Sequence, residues 1–228
     1  MSDLPISFSG PMVRALLREI EQPGTGKTQT RRVMKNIKPV GNGTFHIHGA
    51  GGGAFGITED RIPVVGPDYV RIAAGDRLYA REHWRCAPLF DGIPPRDLIH
   101  GQPRYFEADG TRSTDLLDQD PVDGRFRQAM HMPKWGSRIT LIVTDVRVER
   151  LQDCSVRDAL AEGIEGNEFE GWRDYSEGPK PYDFVVDPRR SYATLWDSIN
   201  GPRAWEANPW VVAYTFSPIL GNIDQVTA

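Results

Sequence analysis

The chain has 228 residues, 39% hydrophobic and 10% aromatic, enough for a sizeable core in one domain. Its 23 glycines and 18 prolines predict many turns and long loops, and a net charge of 27 − 31 = −4 excludes a uniformly basic nucleic-acid coat. No apolar run reaches the ~18 residues of a membrane span, and the N-terminus lacks a signal-peptide pattern. Cys86 and Cys154 are far apart without metal-ligand spacing, so reduced thiols in a cytoplasmic protein with no membrane partner are expected.

Leu4 to Phe8 reads as a short strand, with Pro5 tolerable at a strand start or edge. Ser9 and Pro11 begin a helix whose apolar face is Met12, Leu16, Leu17 and Ile20, and Pro23-Gly24 ends it. Thr28 to Met34 follows as an extended segment. Residues 41–56 hold Gly41, Gly43, Gly49, Gly51, Gly52, Gly53 and Gly56, and read as a loop without regular structure. Asp68 to Ile72 is a candidate strand. Gly75-Asp76 is a turn launching Arg77 to Trp84, where Leu78, Ala80, Glu82 and Trp84 alternate with Arg77, Tyr79 and Arg81. Residues 86–128 are rich in Pro, Gly and Asp, with a short strand at Arg104 to Ala108. The clearest strand is Arg138 to Leu151, whose apolar phase breaks between Val143 and Val146 as at a bulge. Ser155 caps a short helix through Glu162, closed by Gly163. A loop-rich stretch precedes a helix from Arg189 to Asn200 with Tyr192, Leu195, Trp196 and Ile199 on one face, and Pro209 to Phe216 is the last strand.

This order lacks the regular alternation of a parallel α/β sheet. It predicts an α+β protein: a small mixed β-barrel flanked by helices, one domain over residues 1–228, with insertions at about 41–67, 86–130 and 164–188. Charge is unevenly spread. Residues 27–38 carry Lys27, Arg31, Arg32, Lys35 and Lys38 with no acid, whereas residues 153–187 carry ten acids against Arg157, Arg173 and Lys180. One small basic face suits a nucleoside, a nucleotide or a short single strand better than long duplex.

Inside that basic segment, Gly24 to Arg32 combines a tight turn, a lysine, hydroxyls and two arginines. A phosphate-cradling P-loop needs Gly-x-x-x-x-Gly-Lys-Ser/Thr between a strand and a helix. Here Glu21 stands five residues before Gly26, a helix precedes and a strand follows, so the segment is no nucleotide-hydrolase loop.

Three segments in order, Gly26 to Arg32, Gly75 to Tyr79 and Asp158 to Gly163, resemble the ASCH domain, a branch of the PUA-like β-barrels. The resemblance falls within residues 4–216, and the stretches Met130 to Arg138 and Trp196 to Trp210 look like larger, phage-type members. It implies one of two functions. ASCH domains as a class are thought to bind RNA. A bacterial subset resembles this chain more specifically, the amidohydrolases that remove the acyl group from N4-acetylcytidine with a lysine, a threonine and a glutamate. Carried over by position, those are Lys27, Thr30 and Glu162. A third reading is a phage-type protein acting on modified nucleobases.

Amide hydrolysis needs a nucleophile, a base to activate it and an acid for the leaving amine. Thr30 suits the first role and Lys27 the others, provided burial or nearby cations bring the lysine from about 10.4 towards about 7–8. Arg31 and Arg32 assist that shift. Glu162 opposes it, and so orients Lys27, shuttles a proton or binds the cytosine amine edge. Residues three apart on a strand face opposite ways, so either Lys27 belongs to the loop or Thr28 neighbours the true site. Arg31, Arg32, Glu82, Trp84 and Trp135 are candidate substrate contacts, with Arg81 and Arg138 behind them. The competing account is core packing for the tryptophans and simple burial for Glu82. His46 and His48 have ligand character but no third ligand, so no metal or cofactor is expected. The expected partner is a small nucleoside, with RNA as the other candidate, and no obligate protein partner is evident.

Overall fold

The computed structural model describes residues 2–49, 51–113, 121–178 and 183–226. The first half of the chain forms β1 (Asp3–Ser7), α1 (Gly10–Glu21), β2 (Gln29–Val33), β3 (Ile37–Gly41), β4 (Thr44–Gly49), β5 (Gly52–Thr58), α2 (Ile62–Val65), β6 (Arg77–Arg81), β7 (Trp84–Cys86) and β8 (Arg104–Phe106). The second half forms β9 (Ile139–Arg150), α3 (Val156–Ala161), β10 (Gly166–Asn167), β11 (Gly171–Arg173), β12 (Phe184–Val185), α4 (Pro188–Asn200) and β13 (Trp210–Leu220). The α+β class expected from the sequence is therefore present. The chain divides into two compact units, one of Met1–Thr25, Gly75–Ile142 and Ser217–Ala228, the other of Gly26–Ala74 and Val143–Phe216.

In the first unit, β1 runs parallel to β6 and β6 antiparallel to β9, so Leu4 faces Leu78 and Leu78 faces Leu141 across the ladder. Apolar residues at every second position give this sheet a buried face. Helix α1 begins after Ser9, with Pro11 in its first turn, and buries Met12, Val13, Ala15 and Leu16. The run from Arg77 breaks after Arg81, and Trp84–Cys86 turns away to pair with β8. This gives the expected insertion a core of its own: Trp84, Cys86, Leu98, Phe106 and Met132. Gly124 belongs to that packing, because a Cβ there would stand 1.6 Å from the Cys86 carbonyl oxygen. Arg127 lies over the Trp84 ring and donates to the carbonyls of Phe90 and Ile93.

In the second unit the strand order is β9-β13-β2, with Tyr214 opposite Thr30 and Val212 opposite Arg32. The strand orders within both units are open, and the barrel closure expected from the sequence has no closing pair among the described residues. Three further expectations are corrected here. Residues 41–49 and 51–56 are not irregular: they lie in a three-stranded meander, β3-β4-β5. Positive φ at Gly41, Asn42 and Gly43 reverses the chain between its first two strands, and Asn-Gly is the pair that such a hairpin favours. Asp68 to Ile72 is no strand, because Gly66–Tyr69 winds as a 3-10 turn with Pro67 at its start. The stretch 164–188 carries the small sheet β10-β11-β12, against which α4 packs. Helix α4 buries Tyr192, Leu195 and Trp196 as expected but leaves Ile199 exposed. Lys180 and residues 114–120 lie outside the described residues.

Candidate functional site

Lys27 is delivered by two backbone bonds on its neighbour. The Thr28 amide donates to Ala161 at 2.9 Å, and its carbonyl accepts from the Phe216 amide at 2.8 Å. The entrance to β2 is thereby tied to the end of α3. That helix starts at a capping box, in which the Ser155 hydroxyl accepts from the Asp158 amide and the Asp158 carboxylate accepts from the Ser155 amide. It ends at Glu162, and Gly163 turns the chain at φ 81°. Lys27 Nζ donates 2.7 Å to the Glu162 carbonyl and 2.8 Å to Glu162 Oε2. Both residues are almost fully enclosed, Lys27 at 1% and Glu162 at 4% exposure.

Arg31 fills the space beside this pair. Its Nη1 donates to Glu162 Oε1 at 3.1 Å and to Gln29 Oε1 at 2.6 Å. Its Nε and Nη2 converge on Glu149 Oε1 at 3.0 and 2.7 Å, and Asp158 Oδ2 stands 3.5 Å from Nη2. Arg147 then reaches Asp158 at 2.8 Å and Glu149 at 3.4 Å. Lys27, Arg31 and Arg147 therefore meet Glu149, Asp158 and Glu162, three positive groups against three negative. Balanced pairing of this kind is what allows such charges to be buried. Tyr192 of α4 lies alongside, its ring 5.9 Å from the Arg31 guanidinium carbon.

Burial is the largest influence on Lys27 and lowers its pKa below 10.5; the Glu162 charge and hydrogen bond oppose it, and Arg32 and Arg31 add to the lowering. Burial likewise pushes the Tyr192 hydroxyl well above 10.0, with Glu162 adding to the shift and Arg31 resisting it. Burial would raise Asp158, but hydrogen bonds from Ser155 and Arg147 and the charge of Arg31 outweigh it and hold the carboxyl well below 3.8.

Thr30 is buried in β2 at 2% exposure. The Gln29–Arg31 hydrogen bond puts those two side chains on one face of the strand, so alternation turns Thr30 and Arg32 to the other. That other face meets Val212 and Tyr214 of β13. Arg32, Val212 and Tyr214 line a groove of about 860 Å³ that also includes Lys35, His48, Tyr69 and Arg71. Thr28 is half-buried and bonded at both backbone groups.

The remaining candidates belong to the first unit. Glu82 is buried and takes both arms of Arg138, at 2.8 and 2.9 Å. Burial raises its pKa despite Arg138, and Asp109 raises it further. Trp84 has no exposed surface and packs edge-on to Trp135, so stacking a base on it would require the core to open. Trp135 is half-buried between the His100 ring and the Arg104 guanidinium. Arg81 donates to the Met130 carbonyl and the Tyr79 hydroxyl. In the second unit, His46 and His48 both contact Phe55, and among the described residues no group of three or more His, Cys, Asp or Glu is placed to hold a metal.

Sequence reasoning missed Glu149, Asp158, Tyr192 and Gln29 as members of the cluster. Asp158, three residues after the Ser155 cap, completes the capping box, but nothing local signals its approach to Arg31. Among the described residues no helix is long and apolar enough to cross a membrane. No family model, no curated protein and no solved structure matches this chain.

Proposed function

We propose that the second unit carries the reactive centre of an amidohydrolase that removes the acyl group from N4-acylated cytidine. One observation carries the reading: Lys27 and Glu162, paired by the resemblance although 135 positions apart, join at 2.8 Å in a buried pocket of charge. The finer fold assignment, an ASCH-like member of the PUA-like barrels, belongs to the same proposal and rests on the three resembling segments. In the reaction the Thr30 oxygen attacks the acyl carbonyl as Lys27 accepts the hydroxyl proton. The carbon–nitrogen bond breaks, the cytosine amine takes that proton, and water then releases the acyl group from Thr30 as a carboxylic acid. Lowering of the Lys27 pKa by burial supports its role as the proton carrier. The orientation of Thr30 away from Arg31 favours a second version, in which Lys27 and Glu162 activate a water and Thr30 only positions the substrate.

Incubation with N4-acetylcytidine, followed by ultraviolet absorbance for cytidine, tests the activity. Thr30→Ala separates the two versions: an inactive folded variant identifies the nucleophile, whereas an active one assigns attack to water. The groove lined by Arg32, Lys35, Arg71, Tyr69 and Tyr214 supports a different reading, a module that binds RNA without catalysis. No turnover, combined with salt-sensitive RNA binding weakened by Arg71→Gln, would establish that alternative.

A further inference from the structure

The first unit contains a cavity of about 500 Å³ that the proposed hydrolase chemistry does not use. Arg104, Arg112, His100, Thr111, Ser113 and Trp135 are among its lining residues. The Arg104 guanidinium stands 5.1 Å from the Trp135 ring centre and 6.0 Å from that of Phe106. Its Nε is buried without a hydrogen-bond partner. Arg81, Arg127 and Arg189 share that feature, but their other guanidinium nitrogens bond Met130, Tyr79, Phe90, Ile93 and Gln152. Arg104 differs: among the described residues its guanidinium has only ring contacts, with no hydrogen bond and no carboxylate.

Two further charges at the cavity are matched. Arg138 is held by Glu82 and Asp109, and Asp224 by Lys134. Among the described residues, the positive charge of Arg104 thus has no carboxylate partner, and the cavity lining also supplies two hydroxyls, Thr111 and Ser113. A guanidinium presents five N–H donors in a fork that fits oxyanions, and leaving the buried Nε of Arg104 without a partner is costly. We propose that this cavity binds a phosphate-class anion, either free phosphate or the phosphate of a small monoester, with Arg104 as its principal ligand. The inference does not depend on the hydrolase reading.

Titration calorimetry on the full chain with inorganic phosphate, cytidine 5′-monophosphate and cytidine tests it. Phosphate and the monophosphate should bind, with affinity falling as salt rises, and Arg104→Gln should weaken both by ~10-fold or more, the scale of one charge-assisted hydrogen bond. Arg96→Gln, at an exposed arginine outside the cavity lining, should bind as the parent does. Tighter binding of the monophosphate than of phosphate assigns the site to a monoester, and equal binding assigns it to the free anion. Absence of phosphate binding, or undiminished binding by folded Arg104→Gln, overturns the proposal. If Arg104→Gln does not fold, Arg112→Gln serves instead: a several-fold loss supports the site, and unchanged, salt-insensitive binding refutes it.

Discussion

Lys27 is where two electrostatic demands conflict. Enclosure favours the neutral amine, while the Glu162 carboxylate 2.8 Å away favours the ammonium. If Lys27 is the base, Lys27→Ala should lower turnover of N4-acetylcytidine by ~10²-fold or more. Lys27→Arg should be nearly as poor, because a guanidinium stays charged at any working pH. Glu162→Gln removes the influence that raises the Lys27 pKa, so the base titrates lower still. The acid limb of kcat/KM should then move to lower pH; a limb that stays in place would show that another group titrates. Asp158 gives a stability prediction of opposite character. Its carboxyl is held below 3.8 in the folded chain, so its contribution is complete above that pH and is lost as pH falls through the folded value. Urea midpoints of the parent and Asp158→Asn should differ most near neutral pH and converge in acid. A gap independent of pH would mean that shape, not charge, carries the effect.

Among the elements, α3 is short and depends on its ends. Ser155→Ala removes half of the capping box and should cost ~1 kcal/mol of stability, read from chemical denaturation. Gly124→Ala should be far more damaging, because the added methyl must displace the Cys86 backbone from the core beneath β7 and β8. A variant of parental stability would show that this layer shifts freely. Helices α1, α3 and α4 and the long strand β9 were legible because their apolar periodicity and caps are local signals, whereas α2 carried none. The β3-β4-β5 meander was not: a high glycine count suggested irregular chain, although glycine at positive φ is what a tight reversal requires. Trp84 shows the complementary limit. Alternation marked it as facing inward, yet only the partners Arg127 and Trp135 reveal that inward means enclosed on every side.

At the scale of the molecule, each unit carries one buried free thiol, Cys86 in the first and Cys154 in the second. Burial pushes them up to about 11 and about 12, so neither is a thiolate near neutral pH and both should resist alkylation until their own unit opens. If the two units unfold together, the two cysteines should become reactive at the same denaturant concentration, measured by mass spectrometry of the alkylated peptides. Labelling of one well before the other would instead show two independent folding domains. By itself the sequence determined the α+β class, the positions of α1, α3, α4, β2 and β9, and the residue types from which a charged site can be built. Spacing, capping and alternation are short-range, and they act before any tertiary contact exists. Tertiary structure alone decided that Lys27 meets Glu162, that Arg31 joins Glu149 and Asp158, and that Thr30 turns to the opposite face of β2. Those relations link positions up to 135 apart, and they depend on how helix and strand pack together, for which a local pattern holds no information.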